Sequence, residues 1–162
     1  MPLVYFPDDR LVVPAEPVEE MDRVTADLVT GMIETMEQNH GIGLAAPQIG
    51  VMKRLFVVRV PEDDARSFIN PRITALSPDT GKYEEGCLSI PGVYADVTRP
   101  LALTVEAWDA RGQFFTLDAE GLLARVILHE YDHLEGVLFV DHLSARKRER
   151  LLRAYSPPGA ED

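Results

Sequence analysis

The stretch from about Asp118 to Gly136 constrains the fold more than any other part of the chain. Leu122, Leu123, Val126, Ile127 and Leu134 recur at helical spacing, and His129, Glu130, Asp132 and His133 lie among them. A helix this apolar has to be central, packed against sheets. It therefore carries its imidazoles and carboxylates into the interior. His129 and His133 are four residues apart, so their rings stack one turn above the other and can converge on one ion. Glu130 sits between them, close enough to reach an attacking water without serving as a ligand.

Two imidazoles leave an ion under-coordinated. Cys87, the single cysteine, lies about forty residues upstream in the turn Glu85-Gly86-Cys87-Leu88-Ser89. Taken alone, Cys87 reads best as a small buried hydrophobe, and the two histidines read as ordinary helix residues. Taken together on an apolar helix, the four groups read as a hydrolytic metal centre with an open fourth position. One thiolate and two neutral imidazoles leave a net charge of about +1 on a divalent ion, which keeps its Lewis acidity. Asp132 points away from Glu130 on the helix and is suited to an ion pair, with Arg99 as the expected partner.

The chain has 162 residues, enough for one domain with a sizeable core, so 1–162 is expected to be a single catalytic domain with a flexible tail at 156–162. No apolar run approaches the roughly 20 residues that span a bilayer, and the opening Met1-Pro2-Leu3-Val4-Tyr5-Phe6-Pro7 lacks the pattern of a signal peptide. A cytoplasmic protein with no membrane partner is expected, and one cysteine allows no internal disulfide. The formal charge of -11 excludes a stable nucleic-acid complex as the main task. A local basic patch remains in Arg146, Lys147, Arg148, Arg150 and Arg153, which reads first as a solvated helix face and second as a docking patch.

Along the chain, a Pro-rich irregular start gives way to a helix over about Ala26–Asn39, striped by Leu28, Met32, Ile33 and Met36. Gly41 is expected to end it in a left-handed cap, and Gly43 to keep the next segment thin. Strands are expected at Leu55–Val60, within Ser67–Leu76 around an Asn70-Pro71 break, at Val93–Val97, Leu101–Ala107 and Gln113–Leu117, and again at Val137–Val140. Asp109–Gly112 reads as a hairpin turn, and the short connections mark antiparallel pairing. The expected class is α+β: short antiparallel sheets packed around a central metal-binding helix, with an N-terminal helix and a basic C-terminal helix ending before Pro157-Pro158.

Three segments carry a resemblance to a known family. Gly41-Ile42-Gly43-Leu44-Ala45-Ala46-Pro47-Gln48, Glu85-Gly86-Cys87-Leu88-Ser89 and His129-Glu130-Tyr131-Asp132-His133-Leu134 resemble, in that order, the three motifs of the peptide deformylases, and the similarity extends over nearly the whole chain. The resemblance implies removal of the formyl group from the N-terminal formylmethionine of nascent polypeptides, with release of formate. It implies Cys87, His129 and His133 as metal ligands and Glu130 as general base and acid. It implies Gln48 and the backbone amide of Leu88 as oxyanion stabilisers, and Ile42, Gly43 and Leu44 as substrate-binding residues. It also implies one divalent ion, Fe(2+) in the active form with Zn(2+) as an alternative, and a transient ribosome contact through Arg146, Lys147, Arg148 and Arg150.

The chain departs from the family pattern at two places. Leu128 stands where many relatives have Gln, and Tyr94 where some have an Arg that contacts the peptide beyond the methionine. Two other functions use the same residues: a metalloprotease-like amide hydrolase, and an interaction domain with a structural metal. A closed structural site would need a fourth protein ligand.

Overall fold

The computed structural model describes residues 1–159. Helix α1 spans Arg23–Gln38. It starts earlier than the apolar stripe alone suggests because the Asp22 carboxylate accepts the Thr25 N–H at 3.0 Å and caps the first turn. Past its end, the left-handed residue is His40, at φ 57°, and not Gly41. Gly41 instead lies close beside the cavity residue Leu88, whose Cδ1 would be 2.8 Å from a Cβ at that position.

Seven strands follow among the described residues: β1 (Gly43–Ala45), β2 (Leu55–Val58), β3 (Arg66–Leu76), β4 (Thr80–Cys87), β5 (Ile90–Pro100), β6 (Ala102–Trp108) and β7 (Phe114–Glu120). Five form an antiparallel sheet in the order β1-β2-β3-β6-β7, and β4 and β5 pair as a separate ribbon. The expected α+β class with antiparallel sheets is what the chain adopts. The β6–β7 hairpin turns at Asp109–Gly112, where the Asp109 carboxylate accepts the N–H groups of Arg111 and Gln113 at 2.9 and 3.0 Å. At the Asn70-Pro71 break the β3–β6 register shifts, and the Asn70 amide holds Val18 by two bonds of 2.8 Å.

Helix α2 covers Gly121–Leu134. Its expected start near Asp118 or Ala119 is overridden, because β7 continues to Glu120 and pairs Asp118 with Thr104 and Ala119 with Leu103. Gly121, at φ +61°, makes the turn from strand to helix. The β2 end of the five-stranded sheet is buried on both faces, whereas β6 and β7 alternate between a covered and a more exposed face. Phe56 and Val58 face a cluster that contains Ala124, Val126, Ile127 and Leu128 of α2, whereas Leu55 and Val57 face Val29, Met32 and Met36 of α1. Strand β2 therefore reads as an unbroken apolar run, each residue of it fully buried.

The expected strand at Val137–Val140 is instead a 3-10 turn, Phe139–His142. The Leu138 N–H is accepted by the Asp141 carboxylate at 2.9 Å, which closes the turn locally rather than offering it to a sheet. Leu138, Phe139 and Val140 are buried against Val4, Ile90 and Val97, so an apolar run that imitates a strand serves as a plug. Helix α3, Ala145–Arg153, follows. Beyond it Tyr155 donates to the carbonyl of Phe6 at 3.0 Å, and the last part of the expected 156–162 tail lies outside the described residues.

Candidate metal centre

Helix geometry brings His129 and His133 to one side of α2, and the end of β4 brings Cys87 to meet them. One donor atom from each lies within 4.8 Å of the other two. Cys87 Sγ stands 3.4 Å from His133 Nε2. Metal bonds of about 2.3 Å to sulfur and 2.1 Å to nitrogen, at a tetrahedral angle, separate two such donors by about 3.6 Å, so the spacing fits a single ion. Among the described residues no fourth His, Cys or carboxylate joins this cluster. That is the open set expected of a reactive centre rather than the closed set of a structural one.

Glu85, two residues before Cys87 on β4, is the hub behind the cluster. Its Oε1 lies 2.9 Å from His129 Nδ1 and accepts from Arg99 Nη2 at 3.0 Å, while its Oε2 accepts from Arg99 Nε and Arg125 Nη1, both at 2.6 Å. With Nδ1 engaged, His129 turns Nε2 toward the cluster. Arg99 also donates to Asp132 at 2.8 Å, which is the partnership expected from the sequence. His142 approaches the same Asp132 oxygen at 2.7 Å.

These contacts set opposite proton affinities on two buried carboxyls. Burial works against the charge on Glu85, but hydrogen bonds from His129 and Arg99 outweigh it and hold the carboxyl down at about 2. Burial pushes Glu130 up to about 7, and its Oε1 has no hydrogen-bond partner among the described residues. Burial and the neighbouring positive charge on His129 press His133 down to about 3, which keeps its nitrogen lone pair free. Burial also disfavours a charged His129, yet Glu130, Cys87 and Glu85 raise it well above the ordinary histidine range. Acidic groups thus converge on a point that favours positive charge. A divalent cation fits that field and that donor set.

The cluster opens onto a cavity of about 590 Å³ whose walls include Ile42, Gly43, Gln48, Leu88, Tyr94, Val126 and Glu130. Gly43 runs close under Glu130: a Cβ at that position would collide with Glu130 Oε2 and lie 2.8 Å from Val126 Cγ1. Gln48 is locked in place, its Oε1 accepting the Ala45 N–H at 2.9 Å while Nε2 donates to Ser89 Oγ at 3.1 Å and lies 3.4 Å from Cys87 Sγ. Leu44 does not line the cavity. Strand alternation turns its side chain into the cluster under α1, so only its backbone remains available to a ligand. Tyr94 packs over Gly86, where a Cβ would lie 2.6 Å from the ring, and Leu128 joins the apolar cluster between α2 and the sheet.

Sequence reasoning assigned no part to Glu85, Arg125 or His142. Two signals were present: Glu85 stands at same-face strand spacing from Cys87, and Arg125 lies one helical turn before His129.

Fold and site together set one cysteine and two histidines, an open donor set of the kind found in metal-dependent hydrolases, between an antiparallel sheet and a ribbon. The polypeptide deformylase family model matches residues 1–149, and the chain belongs to that family. A peptide deformylase of Chromohalobacter salexigens is 50% identical over 153 residues, covering 93% of this chain and 90% of its own. One from Treponema pallidum is 46% identical over 156 residues, covering 96% of each. Among solved structures, the Ehrlichia chaffeensis peptide deformylase in complex with actinonin superimposes with a TM-score of 0.92 at 40% identity, covering 94% of both chains.

Proposed function

We propose that the chain removes the formyl group from N-terminal formylmethionine on nascent polypeptides, with Glu130 as the proton carrier and Cys87, His129 and His133 as the holders of one divalent ion. The observation that carries this assignment of roles is the pairing of a three-donor cluster with a buried, unpartnered Glu130 oxygen on the wall of one cavity. When bound, the ion supplies Lewis-acid chemistry, polarising a carbonyl and acidifying a water. Ferrous iron is the proposed resident, with zinc as the alternative, since one thiolate and two imidazoles suit both.

The chain's own groups supply the rest. Glu130, held near 7, takes a proton from the attacking water as the new C–O bond forms. It then returns that proton to the amine nitrogen as the C–N bond of the formamide breaks, leaving formate and a free N-terminus. The Gln48 amide and the Leu88 N–H donate to the oxyanion that develops on the formyl oxygen. Gln48 keeps its orientation because its own carbonyl is already engaged by Ala45.

β1 is the edge of its sheet, so its outer backbone around Gly43 is free to pair with an extended peptide, with Ile42 against the methionine side chain. We assign the chain to one catalytic domain, because the family match covers residues 1–149 and α2 packs against both sheet and site. A cytoplasmic location is part of this reading, and no helix among the described residues is long and apolar enough to cross a membrane.

A transient ribosome contact through α3 belongs to the same reading. Arg148 is tied to Asp141, whereas Arg146, Lys147 and Arg150 make no ion pair among the described residues. Reversal of Arg146, Lys147, Arg148 and Arg150 to Glu should abolish co-sedimentation with ribosomes, and unchanged co-sedimentation would remove the contact. The catalytic assignment is tested by formate release from formyl-Met-Ala-Ser with anaerobically purified protein. Rapid release, absent after metal removal and restored by Fe(2+), is expected, whereas no release from the fully metallated protein would overturn it.

A further inference from the structure

We propose that Arg125 is a positioning residue for the metal centre, fixing Glu85 and through it the ligand His129. The inference rests on the reading of Cys87, His129 and His133 as metal ligands. Arg125 precedes His129 by one helical turn, so both side chains leave α2 on the same side and reach the same carboxylate. The guanidinium is held from four directions. Nη1 donates to Glu85 Oε2 at 2.6 Å and to the Val97 carbonyl at 2.9 Å, Nη2 donates to the Gly81 carbonyl at 2.8 Å, and the Tyr83 ring lies 5.5 Å away.

Arg99 and Arg125 do different jobs for Glu85. Arg99 shares its charge between Glu85 and Asp132 and grips Glu85 along one edge. Arg125 ties Glu85 to the backbone of both ribbon strands, with Gly81 on β4 and Val97 on β5. It thus ties α2, which carries His129, to the ribbon that carries Glu85 and delivers Cys87, and it fixes the Glu85 carboxylate between them. Without Arg125, Glu85 would turn on its remaining grip, and the His129 ring would lose the fixed partner that aims it at the cluster.

The test is metal retention, read with Co(2+) bound in place of the native ion. Wild type, Arg125→Met, Arg125→Lys, Glu85→Gln and the double variant Arg125→Met/Glu85→Gln are loaded with one equivalent and challenged with excess chelator. Failure of the wild type to bind one equivalent would remove the metal reading itself. Given binding, Arg125→Met should release cobalt about tenfold faster with altered visible absorption bands, and Arg125→Lys about threefold faster, because one ammonium restores the charge but not the span. In the Glu85→Gln background Arg125→Met should add little, since its effect runs through the carboxylate. Arg125→Lys in the same background replaces it if the Met variant fails to fold. Wild-type release rates in the Arg125 variants, or an effect undiminished in the Glu85→Gln background, would overturn the proposal.

Discussion

Glu85 on the ribbon and Glu130 on α2 stand beside the same histidine, are both buried, and are set in opposite protonation regimes. Glu85 receives hydrogen bonds on both oxygens from Arg99, Arg125 and His129 and stays ionised down to about 2. Glu130 has an oxygen with no partner, faces the cavity, and titrates at about 7. The difference teaches that the supply of donors, not depth, decides what a buried carboxylate can do. A saturated one is a fixed anchor, and an unsaturated one beside a cavity can carry a proton.

The contrast can be broken in several ways, from strong to weak effects. Glu130→Ala should lower kcat/KM for formyl-Met-Ala-Ser by about a thousandfold or more while the metal content stays at one equivalent, as measured by elemental analysis beside formate release. Gln48→Ala removes an oriented donor without touching either carboxylate. A loss of about a hundredfold, mainly in kcat, is expected from steady-state kinetics.

The two carboxyls should also give opposite pH signatures in metal-free protein. The folded-state pKa of Glu130 lies above the ordinary 4.5, so its contribution is fully present below about 4.5 and is lost as pH rises through about 7. The folded-state pKa of Glu85 lies below 4.5, so its contribution is present above that value and is lost as pH falls toward about 2. Urea titrations across pH should therefore show that Glu130→Gln flattens the neutral side of the stability profile and Glu85→Gln the acid side. A smaller effect is expected of His142→Ala, which removes one exposed partner of Asp132 while Arg99 stays in place. Its cost should be under about 1 kcal/mol by denaturant unfolding, with metal content unchanged.

What the sequence revealed follows the same division. The three cluster residues were legible because helix spacing and a single cysteine leave few ways to build a site, and Arg99 with Asp132 because one charge sought another. Glu85 was passed over as part of a turn, since its importance lies in Arg99, Arg125 and His129, which are close only in the folded chain. The fold shows a parallel pattern. Leu55–Val58 announced itself by composition, but the three-residue β1 is too short and too small in its side chains to leave a periodic signal. Leu138–Val140 misled because an apolar run has no intrinsic period, and one carboxylate from Asp141 turned it into a 3-10 plug.

The most direct measurement determines bound iron and formate release side by side in Glu85→Gln and Glu130→Gln, each assayed with and without added Fe(2+). The account predicts that Glu130→Gln keeps its iron and stays inactive whatever is added, whereas Glu85→Gln loses iron about ten- to a hundredfold more readily and recovers turnover when iron is supplied in excess. Parallel loss of iron and activity in both variants, or substantial turnover by iron-loaded Glu130→Gln, would contradict it.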